Sequence, residues 1–148
     1  MSTIINTIIS IFLILSTMFL PAKADGVEIT VKEMTTSSAG ITFVCENKTN
    51  RKISRPHITA IEKNIDGNWE KVDIGLGTTE IAYDLYPGQD STESADFGKL
   101  DENSFEFINQ HLDEGEYKLT ISYNLTDYLK GKVEQGYSSA VFTVYKTN

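Results

Sequence analysis

"LDEGEYKLTISY", residues Leu112 to Tyr123, carries the strongest structural signal in the chain. Asp113-Glu114-Gly115-Glu116-Tyr117 has the Asp-x-Gly-x-Tyr form of a turn running into a strand, Tyr117 to Tyr123. In two-sheet antiparallel sandwiches a tyrosine at this point sends its hydroxyl back to backbone a few residues upstream, locking the corner where the chain changes sheets. Two residues later such a corner usually carries the second cysteine of a core disulfide, but here stands Leu119. The only cysteine, Cys45, shares an alternating face with Ile41 and Phe43 on the second expected strand. One cysteine makes no bridge within a chain, so Cys45 is expected to pack near Leu119 as a small buried hydrophobe.

Outward from this corner the apolar residues alternate more than they recur at helical spacing. Val27, Ile29 and Val31 share one face, with Glu28, Thr30 and Lys32 on the other, the period-2 pattern of a half-buried strand. Further strands are expected over Ile41 to Glu46, Ile58 to Glu62, Trp69 to Ile74, Thr79 to Leu85, Ser91 to Phe97 and Tyr137 to Tyr145. Asp66-Gly67 supplies the positive-φ residues of a tight hairpin, and Pro87-Gly88 a second turn. One helical turn is expected at Glu102 to Gln110, where Phe105 and Ile108 lie three apart and Asp101 stands as cap. Short strands with turns between them and no long amphipathic helix give an all-β protein.

The chain opens with "MSTIINTIISIFLILSTMFLPAKADG". An apolar run followed by Pro21 and Ala22-Lys23-Ala24 reads as a secretory signal peptide over residues 1–24, cut before Asp25, although no Lys or Arg precedes the apolar core. An uncleaved anchor is the rival reading, but Lys23 would then lie on the exported side, against the usual bias. The domain proper, 25–148, keeps all 21 carboxylates against 12 Lys and Arg, a net charge of about −9. Such a field repels polyanions, so no nucleic acid and no membrane contact beyond the leader is expected. The charge is uneven: Glu80 to Glu116 holds eleven acids against Lys99 alone, while Lys48, Arg51, Lys52 and Arg55 form a basic cluster.

Four stretches, "ENKTNRKI", "EKNIDGNWEKV", "AYDLYPGQD" and "LDEGEYKLTISY", occur in that order. Together they resemble the bacterial immunoglobulin-like domains of small exported proteins, which show an asparagine-rich loop after the second strand, an Asp-Gly-x-Trp hairpin, a Pro-Gly turn and a Leu-x-x-Gly-x-Tyr corner. The resemblance implies an immunoglobulin-like antiparallel β-sandwich of about seven to eight strands, secreted or held at the cell surface or in the periplasm. Many such proteins are lipoproteins, whereas this chain has no cysteine at the cleavage site, and its Leu100 to Leu112 crossing is longer than the usual link. The plan is also similar to a proteinase-inhibitor domain of bacilli, with no inhibitory motif that maps onto these residues.

No catalytic constellation emerges. Two separated histidines, His57 and His111, and one cysteine make no zinc set, and no elbow motif supports a serine nucleophile. Asp96, Asp101 and Glu102 are the one acidic set near a loop that could hold calcium weakly; no cofactor is expected. Trp69 is read as a structural residue partly covered at a sheet edge. The better binding candidates are Tyr123, Tyr128, Leu129 and Tyr137, flanking what reads as a loop of about a dozen residues between the last two strands. The expected function is that of a monomeric, non-enzymatic module binding a protein or cell-surface polymer through end loops. Inhibition of an extracellular protease by loop insertion is the alternative.

Overall fold

The computed structural model describes residues 26–77, 83–101, 103–104, 106–127 and 129–147, apart from the side chains of Arg55 and Leu100. The expected leader, most of the strand expected over Thr79 to Leu85, Glu102 and Tyr128 lie outside the described residues. The strands in chain order are β1 (Val27–Val31), β2 (Met34–Thr35), β3 (Gly40–Asn47), β4 (Lys52–Ile65), β5 (Asn68–Lys71) and β6 (Leu76–Gly77). They are followed by β7 (Asp84–Leu85), β8 (Asp90–Leu100), β9 (Phe107–Asn109), β10 (Gly115–Asp127) and β11 (Lys132–Tyr145).

Two sheets form. One runs β1-β3-β8-β6 with β9 added on β8; the other runs β2-β11-β10-β4-β5 with β7 added on β4. All pairings are antiparallel except the short β2–β11 contact, which is parallel. Alternation along β1, β3 and β10 turns Ile29, Ile41, Phe43, Cys45, Tyr117, Leu119 and Ile121 inward, where they meet Ile53, Ile61, Phe97 and Val144. This is the two-layer sandwich that period-2 patterning demands, because each sheet can bury its apolar face only against the other. The Asp66-Gly67 hairpin has positive φ at both residues, 52° and 88°, which matches the twist of the paired strands β4 and β5. At the second turn Gly88 has φ 81° and Gln89 N donates to Tyr86 O at 3.0 Å.

The strand count is refined and two expectations are corrected. The count is eleven strands among the described residues, because β2, β6, β7 and β9 are short pieces added at the margins of seven longer strands. The turn expected as helix at Glu102 to Gln110 instead contains β9, which returns on β8 with Leu100 opposite Phe107 and Gly98 opposite Asn109. Phe107 and Ile108 are both about half exposed. Among the described residues of this stretch no apolar side chain is buried to hold a helix, and the backbone pairs with the end of β8 instead. Nor is there a dozen-residue loop before the last strand: β10 and β11 stay paired without a break from Gly115 opposite Val144 to Asp127 opposite Lys132. Only residues 128–131 connect them. The pairing runs past the apolar core, so the hydrophobic alternation fades before the hydrogen-bond ladder does.

Candidate functional site

One end of the sandwich is built by Asn47, at the end of β3. Its Nδ2 donates to Arg51 O at 2.8 Å and Leu85 O at 2.9 Å, while its Oδ1 accepts from Thr49 N at 3.0 Å and Thr49 Oγ1 at 2.7 Å. Its backbone N donates to Gln89 O and its backbone O accepts from Gly88 N. A buried amide so fully satisfied fixes three segments at once, the 48–51 loop, β7 and the Pro87-Gly88 turn. It also removes Asn47 as a glycosylation acceptor, although the sequence reads "NKT" there.

Lys48, Arg51 and Lys52 of the basic cluster are paired. Lys48 is hydrogen-bonded to Glu28 and lies 3.4 Å from Glu46; Arg51 Nη1 is 2.8 Å from Glu134 Oε2, and Lys52 Nζ is 2.8 Å from Asp84 Oδ2. The bond to Glu28 raises the Lys48 pKa. Hydrogen bonds from Arg51 and then Lys132 lower that of Glu134 from 4.5 to about 2. Beside these pairs opens a cleft of about 560 Å³, with Lys48, Asn50 and Arg51 on one side and Pro87, Tyr123 and Leu125 on the other. Its lining mixes apolar side chains with Lys48 and Arg51, both ion-paired, a surface for contact more than for proton transfer.

The hairpin residues expected to bind together are separated. Tyr123 is buried at the base of the cleft, its ring lying over Gly136 on the paired strand, and its Oη reaches Tyr137 O at 3.4 Å. A Cβ at Gly136 would stand 2.4 Å from a Tyr123 ring atom, so glycine is required there. Tyr137 stands opposite Ser122, on the other face of the hairpin, and is 61% exposed. Leu129 lies at the tip, 98% exposed, where Asp127 Oδ1 accepts from Leu129 N and Lys130 N.

The structural residues are placed as follows. Tyr117 Oη donates to Asp113 O at 2.9 Å, closing the corner, and the ring stacks on Phe142 at 5.7 Å between centroids. Cys45 and Leu119 are both fully buried in one core. Burial, and then the negative charge of Glu93, push the Cys45 thiol up to about 12. Trp69 is half-buried on the edge strand β5, with Lys118 Nζ 4.9 Å from its ring centroid.

His57 shares a 3.1 Å hydrogen bond with Ser122 Oγ on the outward face of β4, and His111 Nδ1 lies 3.2 Å from Ser38 O. Among the described residues no group of three or more His, Cys, Asp and Glu side chains gathers in a way that could hold a metal ion. Asp101 accepts from Asn103 N in the β8–β9 turn, and that bond lowers its pKa. The cleft was not legible in the sequence, because its walls come from four separated segments.

A family model described as a bacterial Ig-like domain matches residues 23–135. No curated protein matches the chain. Among solved structures, a PapD-like domain of human CEP192 is similar at 9% identity, covering 87% of this chain and 93% of that one with a TM-score of 0.39. Self-complemented MyfA, the major subunit of Myf fimbriae from Yersinia enterocolitica, is similar at 18% identity, covering 81% of this chain and 98% of that one with a TM-score of 0.37.

Proposed function

Because the chain belongs to the bacterial Ig-like domain family, we propose that it works as an exported, non-enzymatic module that takes a protein or cell-surface polymer at the cleft end of the sandwich. The observation that carries this reading is the cleft itself. It is a concave, partly apolar surface whose 48–51 wall is tied to the sandwich by the hydrogen bonds of Asn47 and by the Arg51–Glu134 pair. Rigid scaffolds presenting loops at one end are suited to recognition. The absence of enzymatic activity is supported by the state of the most nucleophilic side chain. Cys45 is buried, held as a thiol, and acted on by an acid where activation would need a positive charge.

The test is capture from the cell envelope and culture medium with the exported protein as bait. Asn50→Trp fills the cleft from an exposed position and is expected to abolish capture, while Thr143→Lys, on an outward strand face, is expected to preserve it. Capture unaffected by Asn50→Trp, or turnover of a substrate by the wild type, overturns the reading. The exposed tip residue Leu129 favours one second reading, loop insertion into a protease. Stoichiometric inhibition of an extracellular protease with the hairpin left uncut, lost in Leu129→Glu, would establish it.

A further inference from the structure

The outer strand of the second sheet has an unusual edge. Thr36 N donates to Tyr145 O, so the backbone of Tyr145 points away from β10. The β10–β11 register carries no bulge. The outward direction therefore repeats at Thr143, beside the β2 contact, and then at Val141, Ser139, Tyr137, Gln135 and Val133. Among the described residues no strand pairs with these five positions, since β2 covers only Val144 and Tyr145. β1 runs beside part of this edge: Ser138 Oγ donates to Val27 O at 2.5 Å and a groove lies between Val27 to Ile29 and Ser138 to Val141, but β1 takes its own ladder from β3.

Natural edges are blunted by lysine, proline, bulges or inward charges. β11 carries such residues at its start, Lys132 and Glu134, which pair with each other and with Arg51, and none of them from Gln135 to Tyr145. Its outward side chains Val133, Tyr137, Val141 and Tyr145 are 61%, 61%, 56% and 54% exposed.

We propose that this edge is the interface of a two-fold symmetric dimer, in which β11 pairs antiparallel with β11 of a second copy about Tyr137. The order of the five outward residues carries the proposal. Valine, glutamine, tyrosine, serine, valine reads nearly the same in both directions. An antiparallel pairing centred on Tyr137 then faces Val133 with Val141 of the second copy, Gln135 with Ser139, and Tyr137 with itself. Each facing pair exchanges two backbone hydrogen bonds, and the side chains of each pair fall on the same sheet face. A two-fold interface requires such self-complementarity.

Charge agrees with the pairing. The acid-rich stretch of the chain lies on β7, β8, β9 and the corner, so the net negative charge is not concentrated at this edge. The same register brings Lys132 beside Phe142 of the second copy. There it stands over a groove of about 380 Å³ lined in part by Lys32, Glu33 and Tyr145, which offers Glu33 as a partner. The two sheets become one continuous surface, and the cleft at the hairpin base remains a separate feature of each copy. The dimer replaces the monomer expected from sequence.

The test is sedimentation equilibrium of the exported protein over a range of concentrations, with disulfide trapping in a Cys45→Ala background. The wild type is expected to dimerise. Tyr137→Lys sets two like charges face to face and should weaken the dimer at least about tenfold. Ser139→Pro gives a second test, because its N–H points away from β10 and its loss spares the β10 ladder; it should also yield monomer with an unchanged far-ultraviolet spectrum. Tyr137→Cys should cross-link to itself on oxidation, whereas Thr143→Cys, distant from its own copy in this register, should not. A wild type that stays monomeric at millimolar concentration overturns the proposal. So does a dimer that survives both edge variants, or one that cross-links equally at 143.

Discussion

Cys45 shows how position overrides side-chain chemistry. It lies fully buried opposite Ile29 on one neighbouring strand and Ser91 on the other, and burial holds the thiol protonated far above neutral pH. Thiol reagents are therefore expected to leave the native protein unmodified and to react once it is unfolded in denaturant. Labelling at neutral pH without denaturant would show that the strand opens. Cys45→Ala removes a well-packed sulfur and is expected to cost about 1–3 kcal/mol, whereas loss of binding without loss of stability would assign the thiol a function. At the corner, Tyr117→Phe keeps the ring stacked on Phe142 and deletes only the hydroxyl bond to Asp113 O. A loss of about 1 kcal/mol is expected in denaturant titration, and an unchanged midpoint would show that the bond adds nothing.

Glu134 has the opposite electrostatic sign. Its pKa falls from 4.5 to about 2 because the ionised form is held by Arg51 and Lys132. A depressed carboxyl adds stability that is present above its unfolded pKa and is lost as the pH falls from about 4.5 through about 2. Because both partners are solvent-exposed the effect on unfolding is small, and the sensitive measurement is the side-chain carboxyl shift by NMR. That shift is expected to titrate near the lowered value in the wild type and to move toward the ordinary range in Arg51→Gln.

At the level of elements, the β10–β11 hairpin depends on a glycine whose reason is spatial. Gly136→Ala would drive a methyl group into the Tyr123 ring, and a ring displaced from there would also leave the floor of the cleft. A cost of about 1–3 kcal/mol is expected from overpacking, with Tyr123→Ala in the same chain relieving part of it in a double-mutant cycle. Simple additivity would show that the two residues do not touch.

The same hairpin explains what could and could not be read from sequence. Val27 to Val31, Ile41 to Cys45 and the corner at Tyr117 announce themselves, because one face of each strand is buried and burial writes itself as alternation. Turn chemistry at Asp66-Gly67 and Pro87-Gly88 is local and equally visible. The outer reach of β10 and β11 has polar residues on both faces, so its strands are specified by cross-strand hydrogen bonds, which leave no periodic mark. For the short strands β2, β6, β7 and β9, the pairing partner supplies the order: the spacing of Phe105 and Ile108 imitates a helix, yet Phe107–Asn109 pairs with β8. Asn47 is legible as a polar residue in a loop; that it is fully buried and joins three segments is not.

For the molecule as a whole, stability has to come from noncovalent contacts, chiefly packing, because a single cysteine makes no disulfide within the chain. A domain of about 120 residues buries roughly two-thirds of its unfolded surface, and two sheets closing over one continuous core use that area without a covalent link. Reductant is accordingly expected to leave the melting temperature of the exported protein unchanged, with a single cooperative transition and a β-type far-ultraviolet spectrum. The experiment also bears on the start of the domain. Gly26 already lies in the sandwich, its carbonyl accepting from Lys48 N, so chain cut between Ala24 and Asp25 loses nothing that the described fold uses. Mass spectrometry of the exported protein should find Asp25 at its amino terminus, and a mature chain beginning later than Gly26 would count against this cleavage because it would remove that bond. A transition that moves on reduction would mean that Cys45 reaches another molecule's thiol. Its place between β1 and β8, fully buried, excludes that without unfolding of the first sheet.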